Sequence, residues 1–111
     1  MLPSNFRLPL RQNFFILKKN GRRIESSVTT TLWLPGKKTN SRFAVVISRR
    51  VSNRATSRNK IKRQIYQVIQ KILPNFKKPY DILIITKPNI IRVNQNKLRE
   101  EINNIFNHLT I

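Results

Sequence analysis

Apolar residues along this chain fall into two alternating rhythms, one with the period of a helix and one with the period of a strand. In residues 9–19, Leu10, Phe14, Ile16 and Leu17 predict a first helix, with Pro9 suited to its first turn and Gly21 to its exit. Lys18 and Lys19 near its end complement the helix dipole. Residues 26–34 are rich in β-branched side chains and predict a strand. Val28, Thr30, Leu32 and Leu34 should line one face, and Thr29, Thr31 and Trp33 the other. Pro35-Gly36 marks a turn, and residues 37–41 complete the loop. Residues 43–48 form the next predicted strand. Both of its faces are largely apolar, which places it inside the sheet.

Residues 56–73 carry Ile61, Ile65, Val68, Ile69 and Ile72 at i, i+4, i+7, i+8 and i+11, one continuous helical stripe. Thr56 or Ser57 is expected to cap the start, and Pro74 follows the end. Residues 80–86 read as a buried strand closed by Pro88. A last helix over residues 96–109 repeats the stripe with Leu98, Ile102, Ile105, Phe106 and Leu109. The order predicts an α+β sandwich, helices packed on a small sheet. A length of 111 residues fits one domain, residues 1–111, with no room for a second.

Charge changes the picture most. The chain has 23 Lys plus Arg against 4 Asp plus Glu, a formal net charge of +19. Seven of the cations fall between positions 49 and 63: Arg49, Arg50, Arg54, Arg58, Lys60, Lys62 and Arg63. On a helical wheel centred on Ile61, Asn59, Lys62, Arg63 and Tyr66 point away from the apolar stripe. Arg58 falls in the first turn, where free amides and the positive dipole end favour phosphate. A run of cations is ordinarily a solvated helix face, but such a face carries balancing acids in i,i+4 pairs. Here no acid occurs between Glu25 and Asp81. A self-repelling patch of this kind points to an external polyanion, and to nucleic acid first. Six phosphate contacts would give affinity a log-log salt slope of about −4 to −5. Phe14, Phe15, Trp33 and Tyr66 are candidate base-stacking residues, weighed against the core role that most aromatics of a small domain play.

Several classes are excluded. The chain has no Cys and one His, His108, so neither a disulfide framework nor a Cys/His zinc site is available. The carboxylates Glu25, Asp81, Glu100 and Glu101 are scattered; Glu100 and Glu101 diverge by about 100° on one helix. No nucleophile motif or phosphate-binding glycine loop is present, and there are only two glycines, Gly21 and Gly36. No catalytic residue and no metal ligand is therefore expected in the protein. The first residues lack the apolar run of a signal peptide, and the apolar stretches 43–47 and 82–85 are too short to span a bilayer. The expected location is the cytoplasm, with no membrane partner.

The segment Ser57-Arg58-Asn59-Lys60-Ile61-Lys62-Arg63-Gln64-Ile65 resembles the RNR motif of the bacterial ribonuclease P protein subunit family, usually Arg-Asn-Arg-hydrophobic-Lys-Arg. Arg7-Leu8 through Phe14 to Gly21 is similar to the family's N-terminal helix. Phe43-Ala44-Val45-Val46-Ile47-Ser48-Arg49-Arg50-Val51 is similar to the strand before the motif, and Tyr80-Asp81-Ile82-Leu83-Ile84-Ile85 to the later strand.

The resemblance implies an α-β-β-β-α-β-α fold with a left-handed crossover around the basic helix, against the usual right-handed preference. It also implies a large catalytic RNA as partner and precursor tRNA as substrate, with no DNA. In the family, the RNA holds the catalytic magnesium ions and cleaves the 5′ leader. The protein is its non-catalytic subunit, binding the RNA and the leader. Carried onto this chain, Arg58, Asn59, Lys62 and Arg63 match the motif, Arg49 and Arg50 match the basic pair after the strand, and Arg54 lies in the loop between. Lys60 stands where the family has Arg, keeping the charge but not bidentate phosphate contact. The leader cleft between the first helix and the sheet is expected to use Arg7, Arg11, Phe14, Lys18 and Trp33. Lys18 replaces a second family aromatic, and Leu32 or Trp33 falls near a strand aromatic. Charge alone leaves a small ribosomal or RNA-chaperone protein as the alternative. A self-sufficient metal-dependent nuclease is disfavoured by the shortage of carboxylates.

Overall fold

The computed structural model describes residues 6–36, 39–76 and 78–109. Its elements run α1 (Leu10–Asn20), β1 (Arg22–Glu25), β2 (Thr29–Pro35), β3 (Arg42–Val46), α2 (Ala55–Ile72), β4 (Tyr80–Thr86) and α3 (Gln95–Leu109). Short 3-10 turns, Leu73–Asn75 and Pro88–Arg92, follow α2 and β4. The α-β-β-β-α-β-α order is the one that the family resemblance implies. Of the predicted loop 37–41, residues 37 and 38 lie outside the described residues, as does the side chain of Leu109.

The four strands form one sheet in the order β1-β2-β4-β3. β1 pairs with β2 and β2 with β4 in antiparallel fashion, whereas β3 and β4 are parallel. Two parallel neighbours cannot be joined by a tight turn, and α2 supplies the crossover between them. β1 escaped the residue pattern because Arg22-Arg23-Ile24-Glu25 has no alternation, only Ile24 being half-buried. Residues 26–28, predicted as strand, are the hairpin turn instead. The Ser26 hydroxyl accepts the amides of Thr29 (3.0 Å) and Val28 (3.3 Å), while the Ser26 amide donates to the Thr29 carbonyl. Serine here offers the backbone an alternative to the ladder.

Alternation along the strands divides the core in two. Leu32, Ala44 and Leu83 lie beneath α1 with Leu8 and Leu17, ringed by half-buried Leu10, Phe14, Leu34, Val46 and Ile85. On the opposite face Phe43, Val45, Ile82 and Ile84 pack with Ile61, Ile65 and Ile69 of α2 and Leu98, Ile102, Ile105 and Phe106 of α3. Coverage of both faces explains why β3 from Phe43 to Val46 and β4 from Ile82 to Ile85 are continuously apolar.

Three local expectations change. Ile16 is 48% exposed rather than core, because α1 buries a narrow line centred on Leu17. α2 begins at Ala55, so its cap is extended Arg54 and not Thr56 or Ser57; no side chain caps it. Pro74 does not follow a clean stop, since the 3-10 turn Leu73–Asn75 contains it. α3 is capped by Asn94, whose Oδ1 accepts the Lys97 amide at 2.8 Å. No helix among the described residues is long and apolar enough to cross a membrane.

Candidate nucleic-acid interface

The chain leaves β3 through residues 47–54, and this loop presents the first cations. The Val51 amide donates to the Ser48 carbonyl at 3.1 Å, and the Val51 side chain is buried, pinning the turn so that Arg49 and Arg50 stand exposed. Exposed Arg54 follows, its amide donating to the Ser52 hydroxyl at 3.2 Å. With no side chain capping α2, its leading amides and positive dipole end are open to an anion beside Arg54 and Arg58.

Along α2, Asn59, Lys60 and Arg63 are exposed, whereas Arg58 and Lys62 are half-buried. The Arg58 guanidinium donates to the Ser52 carbonyl at 2.9 Å, so this residue braces the loop as well as offering charge. Lys60 lies on the flank toward α3, lining a cavity of about 240 Å³ with Ser57, Gln64 and Ile91. Lys62 lies on the other flank, its ammonium 6.0 Å from the Tyr66 ring centroid. The motif cations thus fan around the helix.

Tyr66 does not point outward as the wheel predicted. It is 6% exposed and hydrogen-bonded to the Val45 backbone. Burial pushes its hydroxyl pKa up, and the nearby charge of Arg7 opposes that shift. The wheel failed because α2 is gripped on more than one stripe. Residues 6–8 run along the edge of β3, Arg7 bridging Phe43 and the Leu8 amide donating to the Phe43 carbonyl at 2.8 Å.

On the other face of the sheet, α1 carries exposed Arg11 and Lys18 and half-buried Phe14. The Lys18 ammonium sits 5.3 Å from the Phe14 ring centroid, a cation–π contact. Phe14, Val46 and Ile85 give this side a half-covered apolar floor. Of the predicted leader-cleft residues, Arg11, Phe14 and Lys18 come together here. Arg7 does not, since alternation with buried Leu8 places it on the α2 side of the β3 edge, near Tyr66.

Trp33 is a correction. Its register partner on β4 is Ile82, on the α2 and α3 face, so its side chain faces away from α1. It packs edge-to-face on Tyr80 at 5.3 Å, with the Arg22 guanidinium 5.4 Å from its ring. Leu32, its neighbour, is the β2 residue beneath α1 and is itself buried.

One feature of this face was not read from the sequence. Glu25 accepts hydrogen bonds from Arg23, from the Thr30 hydroxyl at 3.2 Å and from the Lys87 ammonium at 2.8 Å. These bonds, that of Lys87 foremost and then that of Arg23, lower the exposed Glu25 pKa to about 2. The only signal in sequence was a lone acid among cations. Among the described residues no three His, Cys, Asp or Glu side chains converge where a metal ion could sit.

A family model described as Ribonuclease P matches residues 2–110. The ribonuclease P protein component of Synechocystis sp. PCC 6803 is 33% identical over 111 residues, covering 99% of this chain and 90% of that one. The corresponding protein of Microcystis aeruginosa is 34% identical over 109 residues, covering 95% and 91%. Among solved structures, the RNase P protein of Thermotoga maritima aligns with a TM-score of 0.81 at 27% identity, covering 89% of this chain and 95% of that one. The Staphylococcus aureus RNase P protein shares the fold with a TM-score of 0.83 at 17% identity, covering 92% and 93%.

Proposed function

This chain belongs to the ribonuclease P protein family, and from that premise we propose that it binds a catalytic RNA and the 5′ leader of precursor tRNA. Its own residues supply binding and charge neutralisation, and the RNA supplies the cleavage. The observation that carries this reading is the placement of two basic surfaces on opposite faces of one sheet, meeting at the β3 edge where Arg7 lies.

The α2 surface suits a structured RNA. Arg49, Arg50 and Arg54 on the loop, with Asn59, Lys60, Lys62 and Arg63 on the helix, offer cations that fan over a broad front. Such an array engages phosphates without reading bases, and its affinity falls steeply with salt. Arg58 contributes charge while holding the loop to the helix.

The α1 surface suits a single strand. Phe14 offers a ring for one unpaired base, while Arg11 and Lys18 track the phosphates on either side. A leader is single-stranded and of variable sequence, and stacking is tolerant of base identity. Magnesium in the holoenzyme is assigned to the RNA, a reading that the scarcity of carboxylates, 4 Asp plus Glu against 23 Lys plus Arg, supports. No step of the reaction is routed through the protein. Its part is to hold the leader and to lower phosphate repulsion around chemistry done elsewhere, in the cytoplasm where precursor tRNA is made.

Reconstitution with the cognate ribonuclease P RNA and a precursor tRNA at low magnesium tests this. The expected result is stimulation of 5′ cleavage by the protein and no cleavage by the protein alone. Absence of stimulation would overturn the reading, and cleavage without RNA would reassign the chemistry to the chain.

A further inference from the structure

Phe15 is the most exposed of the chain's large apolar side chains among the described residues, at 78%. It contributes nothing to either core cluster, whose α1 members are Leu10, Phe14 and Leu17. Its ring meets Phe14 edge-on, with centroids 5.9 Å apart and planes at 85°. The two rings meet edge to face, and at 78% exposure most of the Phe15 ring stays open to solvent or to a ligand.

The surroundings of Phe15 are cationic. Arg11 stands one turn before it on the helix, and Lys18 and Lys19 one turn after, all exposed. No acid precedes Glu25 in the sequence, and Glu25 is engaged by Arg23 and Lys87. An apolar patch ringed by unbalanced cations is poorly suited to a second copy of a +19 chain, which would bring like charges together. It is well suited to a strand that pairs phosphates with flat, apolar bases.

We propose that Phe15 is a second stacking platform for an unpaired nucleobase, extending the Phe14 site by one nucleotide around the outer flank of α1. Arg11 and Lys18 each lie within one helical turn of both rings, so they can hold the phosphates that link the two stacked bases. This inference rests on the assignment of α1 to the leader strand. It adds that the protein grips two adjacent leader bases rather than one.

The test uses the holoenzyme reconstituted with cognate RNA and precursor tRNA carrying 2-aminopurine at successive leader positions. Wild type should quench the probe at two adjacent positions. Phe15→Ala should remove one of them and weaken precursor binding at least about five-fold, with mature tRNA binding unchanged. Phe15→Trp should restore both. If Phe15→Ala binds leader as wild type does while Phe14→Ala does not, the inference fails and the leader reading stands. If neither variant changes leader binding, the leader reading fails with it. Equal loss for mature tRNA, or a wild-type dimer in sedimentation that Phe15→Ala dissolves, would assign the patch to another partner and overturn the proposal.

Discussion

Arg42 and Asp81, partners in the parallel register of β3 and β4, are joined by a two-pronged ion pair. The Arg42 Nε and Nη2 donate to the two Asp81 carboxylate oxygens at 3.0 Å each. Both side chains are nearly buried, at 13% and 11% exposure. At the same end of the strands the Tyr80 amide donates to the Ser41 hydroxyl at 3.0 Å. These contacts fasten the starts of two strands that α2 separates in sequence. Arg42→Ala would leave the Asp81 charge poorly solvated and unpaired, costing about 2–4 kcal/mol in denaturant unfolding. A cost below about 1 kcal/mol would show the pair to behave as a surface bridge.

Glu25 gives stability a pH dependence. Its folded pKa is about 2, against an ordinary value of 4.5, so the folded state favours the ionised form. A depressed carboxylate pKa contributes stability that is fully present above the ordinary value and is lost as pH falls toward the folded one. The melting temperatures of wild type and Glu25→Gln should therefore differ by a constant amount above about pH 5, converge below it, and meet near pH 2. Lys87→Met should shift that convergence to higher pH. A gap independent of pH would mean that the clamp is not electrostatic.

The two long helices and the strands β3 and β4 were legible because their apolar positions repeat over many residues and are spent on burial. β1 was not, since an edge strand of four mostly charged residues has no face to bury. The outward reading of Tyr66 failed for a related reason. A wheel assumes one buried stripe, and α2 is covered both by the sheet and by α3, with the Val45 backbone against Tyr66 and the Arg7 charge near it. Among site residues, the loop and motif cations stood out because acids are missing around them. Trp33 was misplaced because resemblance fixed its strand but not its parity. One residue along a strand exchanges the two faces of the sheet.

Arg63 separates charge from structure at the α2 surface. It is exposed, and its removal should leave the melting temperature unchanged while lowering the log-log salt slope of RNA binding by about 0.7–0.9. Arg58→Ala should instead weaken binding and loosen the loop together, because its guanidinium holds the Ser52 carbonyl. Native-state hydrogen exchange at residues 49–54 would report the loosening. Equal exchange in both variants would argue against a bracing role for Arg58.

Gly21 closes α1, its amide donating to the Leu17 carbonyl at 2.8 Å. A Cβ placed there would lie 2.3 Å from the Leu17 carbonyl oxygen, inside any tolerable contact. Gly21→Ala must therefore push the chain away from the helix end, at a cost of about 1–3 kcal/mol. Thermal melting checks this, and an unchanged midpoint would mean that the hairpin absorbs the shift freely.

Phe14 and Trp33 make the last contrast, because both are half-buried aromatics and only one lies on the α1 face. Phe14→Ala removes a ring from an already open floor. It should weaken binding of leader-bearing tRNA by about 1–3 kcal/mol relative to mature tRNA, with a smaller loss of stability. Trp33→Ala removes the edge-to-face partner of Tyr80 and the platform under Arg22. It should destabilise the domain by about 2–4 kcal/mol and leave the ratio of leader-bearing to mature binding unchanged under conditions where the variant is folded. Binding titrations with both tRNAs, paired with denaturant melts of each variant, decide the matter. A Trp33→Ala variant that folds normally but loses leader discrimination would place the leader on the α2 and α3 face, and the α1 assignment would have to be given up.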